Sequence, residues 1–188
     1  VLPHRARRVT AADYDRFDHL VVMDARNERG LRAIIPADPD GKVRRLLKAC
    51  GYPGMKVLEF AFDSREESDY MPHLYPVDSV CYTGTHDNMT VRQWFETASP
   101  EAVKVAVDYM ILTKKEGYVW GTIRTAMSSV SERAIVQLQD YLNLGGEARM
   151  NFPGTVGSNW TWRVKKGYGS NALAAKILEL TKRYDRTV

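Results

Sequence analysis

An imidazole and a carboxylate stand side by side at His86 and Asp87, inside the stretch Ser79-Val80-Cys81-Tyr82-Thr83-Gly84-Thr85-His86-Asp87-Asn88. The stretch opens as a short β-prone apolar run and breaks at Gly84 into small polar residues. The pair should therefore lie just past the carboxyl end of a strand. α/β enzymes keep their chemistry there. Taken alone, a His-Asp pair reads first as a structural hydrogen-bonded pair or a helix cap. Among the other acidic groups, Glu59 lies within an apolar run and Asp140 near a strand end, and both read as structural. Glu147 and Arg149 read as a structural ion pair. Trp94 and Trp120 fall on apolar helix faces and belong to a core. Trp160 and Trp162, two apart in a loop, are compatible with either packing or ligand contact. The four histidines show no ligand spacing, so no metal is expected.

Several elements must hold these groups. Met55 to Phe62 is a continuous apolar run of strand length, followed by the charged loop from Asp63 to Asp69. Asn88 can cap a helix from Met89 to Thr97. Ser99-Pro100-Glu101 starts another, with Val103, Ala106, Val107, Met110 and Ile111 on one stripe and Gly117 as its stop. Trp120 to Ser128 should be helical. Arg133 to Leu138 fits helix or strand by pattern alone. Ser170 caps a last helix carrying Leu173, Ile177, Leu180 and Tyr184. Residues 3 to 47 differ in flavour, being rich in Arg and Asp. There Thr10 can cap a short helix through Phe17, and His19 to Asp24 reads as a buried parallel strand. Leu31, Ile34 and Ile35 recur at helical spacing, 36 to 41 form a turn, and Lys42 to Ala49 reads as helix. A strand followed by a helix is half of a parallel α/β unit.

The totals narrow the function classes. No apolar run approaches a membrane span, so no membrane is expected. With two cysteines, Cys50 and Cys81, a disulfide framework is excluded and a reducing, cytoplasmic setting is expected. The net charge of +4 is modest, and the basic residues near both ends lack interleaved aromatics. They read as solvated faces, and no nucleic acid is expected as partner.

The stretch around His86 also resembles the seventh-strand motif of the amylomaltases, the 4-α-glucanotransferases of glycoside hydrolase family 77. The resemblance runs from about residue 51 to 185. Gly54-Met55-Lys56-Val57-Leu58-Glu59-Phe60-Ala61-Phe62-Asp63 is similar to the preceding strand, and Tyr70-Met71-Pro72-His73-Leu74-Tyr75-Pro76 to its connecting loop. Gly146-Glu147-Ala148-Arg149-Met150-Asn151-Phe152-Pro153-Gly154-Thr155, with Asn159-Trp160-Thr161-Trp162-Arg163, is similar to the segment after the eighth strand. By the same resemblance Arg133 to Leu138 is that eighth strand. A weaker likeness covers residues 3 to 47. His4-Arg5-Ala6-Arg7, Asp13-Tyr14, Phe17-Asp18, Val22-Met23-Asp24, Asn27, Leu31 and Asp38-Pro39-Asp40-Gly41-Lys42-Val43 resemble the middle of a low-molecular-weight protein tyrosine phosphatase. That family's Cys-x5-Arg loop is missing, since Lys56 and Asp87 stand where Cys50 and Cys81 would need an arginine.

These likenesses imply an α/β chain of two parts. Residues 1–48 would be a short Rossmann-like phosphatase-like segment, and 49–188 the last strands and helices of a partial (β/α) TIM-type barrel. With no linker between them, the chain reads as a chimera. The resemblance implies Asp87 as the carboxylate that stabilises positive charge on the transferred sugar. His86 and Asn151 are implied as substrate contacts, and Asp63, at a strand's carboxyl end, is a candidate for an acceptor-side sugar contact. It implies an α-1,4-glucan or maltooligosaccharide as substrate, with no cofactor. The nucleophile and acid belong to strands of the family that have no counterpart here. An open barrel segment also leaves sheet edges, so either the N-terminal part covers one, or two copies pair, or the segment is only marginally folded.

Overall fold

The computed structural model describes residues 6–23, 25–62 and 68–187. It separates the chain into two compact units, Val1–Pro53 and Gly54–Val188. His4, Arg5, Asp24 and Asp63 lie outside the described residues.

In the first unit, α1 (Asp13–Arg16) precedes β1 (Leu20–Val22), α2 (Ala25–Arg32), β2 (Val43–Arg45) and α3 (Leu46–Cys50). β1 pairs with β2 in parallel, Leu20 opposite Val43 and Val22 opposite Arg45, so α2 is the crossover between neighbouring strands. Val22, Leu31 and Ile35 form its small core, with Tyr14, Leu20 and Val43 packed against them. Four expectations differ here. The strand expected to be buried from His19 to Asp24 is buried, among its described residues, only at Val22, with Val21 and Met23 exposed. Thr10 does not cap α1. Instead the Asp13 carboxylate reaches back to accept from the Thr10 N–H at 2.8 Å and is gripped by Arg7 at 2.6 Å. Ile34 lies past the end of α2 and is exposed. The chain from Lys42 begins as strand rather than helix. Asp38 accepts from the N–H groups of Lys42 and Val43 at 2.7 and 3.2 Å, which turns the backbone into register with β1.

The second unit is built on a three-stranded parallel sheet in the order β3–β4–β5, with β3 at Gly54–Val57, β4 at Ser79–Tyr82 and β5 at Arg133–Ile135. The pattern that fitted helix or strand at 133 to 138 is thus a strand over its first half. The registers Val57 opposite Tyr82 and Tyr82 opposite Ile135 bring the three carboxyl ends level. The strand expected through Phe62 stops at Val57. Glu59 N–H still reaches Thr83 O at 3.3 Å, but Leu58–Phe62 has wound into a 3-10 turn. A strand would send alternate side chains to opposite faces. The turn buries Leu58, Ala61 and Phe62 together, in one cluster with Trp94, Ala106, Met110 and Leu112.

Helices cover this sheet: α4 (Val91–Thr97), α5 (Pro100–Tyr109), α6 (Tyr118–Met127), the short α7 (Leu138–Tyr141) and α8 (Asn171–Arg183). Ser99 and Ser170 cap α5 and α8 as expected, accepting from Ala102 N–H and Leu173 N–H at 3.2 and 3.1 Å. Thr90 rather than Asn88 caps α4, because both Thr85 donors already occupy the Asn88 side-chain oxygen. α5 ends before Gly117, at Tyr109. Gly117 adopts φ 86° as the residue that leads into α6, a conformation that favours glycine. Val91, Val119, Ile123, Met127 and Leu180 tie α4, α6 and α8 together. Trp94 belongs to the core as expected. Trp120 is partly buried beneath the Lys176 ammonium, 3.6 Å from its ring centre.

Candidate functional site

Beyond β4 the chain must turn sharply. A Cβ on Gly84 would lie 2.8 Å from Gln137 Nε2 and 3.0 Å from Glu59 Oε1, so the glycine lets this loop pack closely against both side-chain ends. The loop is then tied at both ends. Asp140 is completely buried at the head of α7. One carboxylate oxygen accepts from the Thr83 hydroxyl at 2.7 Å, and the other from the Val91 N–H at 2.8 Å. Gln137 adds a bond to Met89 O at 3.2 Å. Residues 84 to 90 therefore hang between fixed points, with His86 and Asp87 at the exposed tip.

At that tip, side chains meet from two distant segments. The Asn151 amide donates to Asp87 Oδ1 at 2.6 Å, and His86 Nε2 lies 3.4 Å from Asp87 Oδ2, an ion pair only when the imidazole is protonated. Arg149 donates to the Asp87 backbone carbonyl at 2.7 Å and to Asn151 O at 2.9 Å. Its guanidinium lies 4.4 Å from the centre of the Phe152 ring. The side chains of Asp87 and His86 remain about half exposed, at 47% and 54%. A half-exposed carboxylate with one oxygen bound to an amide and the other beside an imidazole can accept hydrogen bonds from hydroxyls and face a developing positive charge.

The expected contacts His86, Asp87 and Asn151 are thus brought together, while Asp63 lies outside the described residues. Two site-holding groups escaped sequence reasoning. Arg149 is not in a recorded ion pair with Glu147, whose carboxylate turns to Gly145 N–H at 3.0 Å. It clamps the two segments instead. Its place two residues before Asn151 was the available signal. Asp140 ties down the loop from 57 residues away, and no local pattern marks it. Among the described residues no cluster of three or more His, Cys, Asp or Glu could hold a metal ion.

Below the loop sits Glu59, buried, with Oε1 lacking a hydrogen-bond partner among the described residues. Burial, reinforced by the nearby Asp140 charge, pushes its carboxyl up to about 9. Burial likewise raises Asp140 to about 6, opposed by the bonds from Thr83 and Val91. Both groups bind protons more tightly folded than unfolded, so their contribution to stability is greatest in acid and falls as pH rises. For Asp140 the fall spans its ordinary 3.8 to about 6, and for Glu59 its ordinary 4.5 to about 9. Each can cost up to about 1.4 kcal/mol per pH unit inside its window. Glu59→Gln keeps the shape without the titration. It should flatten the loss of stability between pH 6 and 9, measured as the urea midpoint. Parallel curves for the two proteins would show that Glu59 is already ionised at pH 6.

A family model described as 4-alpha-glucanotransferase, of glycoside hydrolase family 77, matches residues 39–169. A 4-alpha-glucanotransferase of Clostridium butyricum is 52% identical over 140 residues, covering 74% of this chain and 29% of that relative. One from Thermus thermophilus is 40% identical over 152 residues, with 77% and 30% covered. Among solved structures, an amylomaltase from Streptococcus agalactiae in complex with acarbose superimposes with a TM-score of 0.73 and 34% identity. The match covers 87% of this chain and 30% of that one. The chain thus spans about three-tenths of the length of these relatives.

Proposed function

The chain belongs to the 4-alpha-glucanotransferases of glycoside hydrolase family 77, and from that premise we propose that its second unit is the last part of a (β/α) TIM-type barrel that grips an α-1,4-glucan without completing the transfer by itself. One observation carries this reading. Asn151 and Asp87, 64 residues apart, meet at 2.6 Å beside His86 on an exposed loop tip. The donor and acceptors there suit vicinal hydroxyls of a pyranose. The Asp87 carboxylate suits the positive charge that develops on the ring as the glycosidic bond breaks.

Transfer with retention also needs a nucleophile and an acid, two carboxyls about 5–5.5 Å apart on either side of that bond. Asp87, held by Asn151, His86, Arg149 and Thr85, is by the family resemblance neither of that pair. Glu59 and Asp140 are buried beneath the loop and are structural. Hence the 188-residue chain alone is expected to bind and not to turn over. Incubated with maltotriose, it should release no glucose above buffer, while calorimetric titration with acarbose should show heat of binding. Sustained glucose release would overturn the claim that the covalent step is missing, and absence of heat would overturn the sugar grip.

For the first unit, our reading remains a fragment like a low-molecular-weight tyrosine phosphatase. Its support is the residue pattern together with the parallel β1–α2–β2 crossover. Asp63 as an acceptor-side contact, a cytoplasmic setting, the join near residue 48 and pairing of copies through the sheet edges belong to the same reading. Among the described residues no helix is long and apolar enough to cross a membrane.

A further inference from the structure

Trp160 presents a large apolar ring to solvent, 51% exposed, so burial does not explain its position. Its backbone nevertheless adopts φ 63°, a left-handed conformation that is unfavourable for a bulky side chain. Such an outlier persists only where its surroundings over-determine it. Here they do. The Trp160 N–H donates to Met150 O at 2.7 Å, and its carbonyl accepts from Arg163 Nη1 at 2.8 Å. The preceding Asn159 is fixed by accepting from Phe152 N–H at 2.9 Å and donating to Thr155 O and Oγ1 at 3.1 and 3.0 Å. Glycines at 154 and 157, with φ 78° and 128°, let the loop fold back far enough to reach these partners. The outcome is an indole seated on the His86 imidazole, ring centres 5.0 Å apart and planes 37° from parallel.

From this geometry we infer that Trp160 is a further binding residue of the same site, its exposed indole taking the apolar C–H face of a glucosyl unit. The inference rests on the proposed glucan reading of Asp87, His86 and Asn151. A pyranose carries hydroxyls around its rim and C–H bonds on its faces. A hydrogen-bonding cluster next to an exposed aromatic wall therefore matches both parts of one sugar. His86 joins the two parts, offering its nitrogen to Asp87 and its ring face to Trp160. Trp162, two residues on, is only partly exposed and has no recorded ring contact with His86 among the described residues. It is left out of the assignment.

The test is calorimetric titration of the full chain and its variants with acarbose. Trp160→Ala should weaken binding about tenfold, while Trp160→Phe, which keeps an aromatic face, should stay within about threefold. If Trp160→Ala fails to fold, the wild-type chain decides. The Trp160 indole N–H resonance, identified by its loss in Trp160→Phe, should shift as acarbose saturates the site. An unmoved resonance, or unchanged affinity in a folded Trp160→Ala, would overturn the inference while leaving the sugar grip of Asp87 standing. No binding by the wild-type chain would overturn both.

Discussion

Replacing Asp87 by Ala should reduce acarbose affinity by roughly 30-fold or more, since truncating a charged hydrogen-bonding partner at an interface costs about 2–5 kcal/mol. The fold should survive the change. Asp87 is half exposed, its side-chain bonds go to Asn151 and His86, and Arg149 holds its backbone carbonyl rather than its carboxylate. Thermal unfolding should therefore shift little while the calorimetric signal disappears. Asp87→Asn tells shape from charge. It preserves one acceptor for a sugar hydroxyl but cannot stabilise a cation, so it should bind better than the alanine variant. Equal affinity for the alanine variant and the wild type would mean that the sugar sits elsewhere.

Asp140→Ala should lower stability by about 2–4 kcal/mol, because it leaves the Thr83 hydroxyl and the Val91 N–H buried without an acceptor at about 1–3 kcal/mol each. Part of that cost is offset, since burial already disfavours the Asp140 charge and raises its carboxyl to about 6. The second consequence is functional. Thr83 and Val91 bracket the loop that carries His86 and Asp87, so untying them should weaken acarbose binding even under conditions where the variant is fully folded. Urea denaturation reads the first effect and calorimetry at low temperature the second. Asp140→Asn should fall between, because its amide can accept from one of the two donors and must turn N–H groups toward the other. Loss of stability with undiminished affinity would separate the buried carboxylate from the site above it.

How far these features could be read in advance depends on their range. The caps at Ser99 and Ser170 were legible because a cap bonds within three residues of itself. β4 was legible because its apolar run ends at a glycine. By contrast, the 3-10 turn at Leu58–Phe62 replaces a plausible strand because Leu58, Ala61 and Phe62 all find the same helical cluster, and nothing local specifies that partner. Asn88 has the right chemistry for a cap, yet it serves Thr85 instead, a choice made by how the Gly84 loop closes over Glu59 and Gln137. β2 was hidden for the same reason, since its pairing partner β1 lies more than 20 residues earlier in the chain.

The site divides along the same line. His86 and Asp87 are neighbours in sequence, so their pairing needed only the strand-end pattern. Asn151 came from family resemblance, as no spacing rule links residues 64 apart. Arg149 and Asp140 read as structural in sequence, and structural roles are what they have. Arg149 holds a site segment rather than Glu147, and Asp140 ties down the loop that carries the site. Trp160, compatible with core or ligand contact by sequence, is exposed and packs at a tilt against the His86 ring.

The most direct test of a sugar grip built from Asp87, His86 and Asn151 is a two-dimensional amide spectrum of the full chain titrated with acarbose. Saturable shifts should be confined to the amides of Thr85 to Asn88 and of Met150 to Trp160, with those of β1, α2 and β2 unmoved. A spectrum unchanged at saturating acarbose, or shifts centred on the first unit, would contradict it.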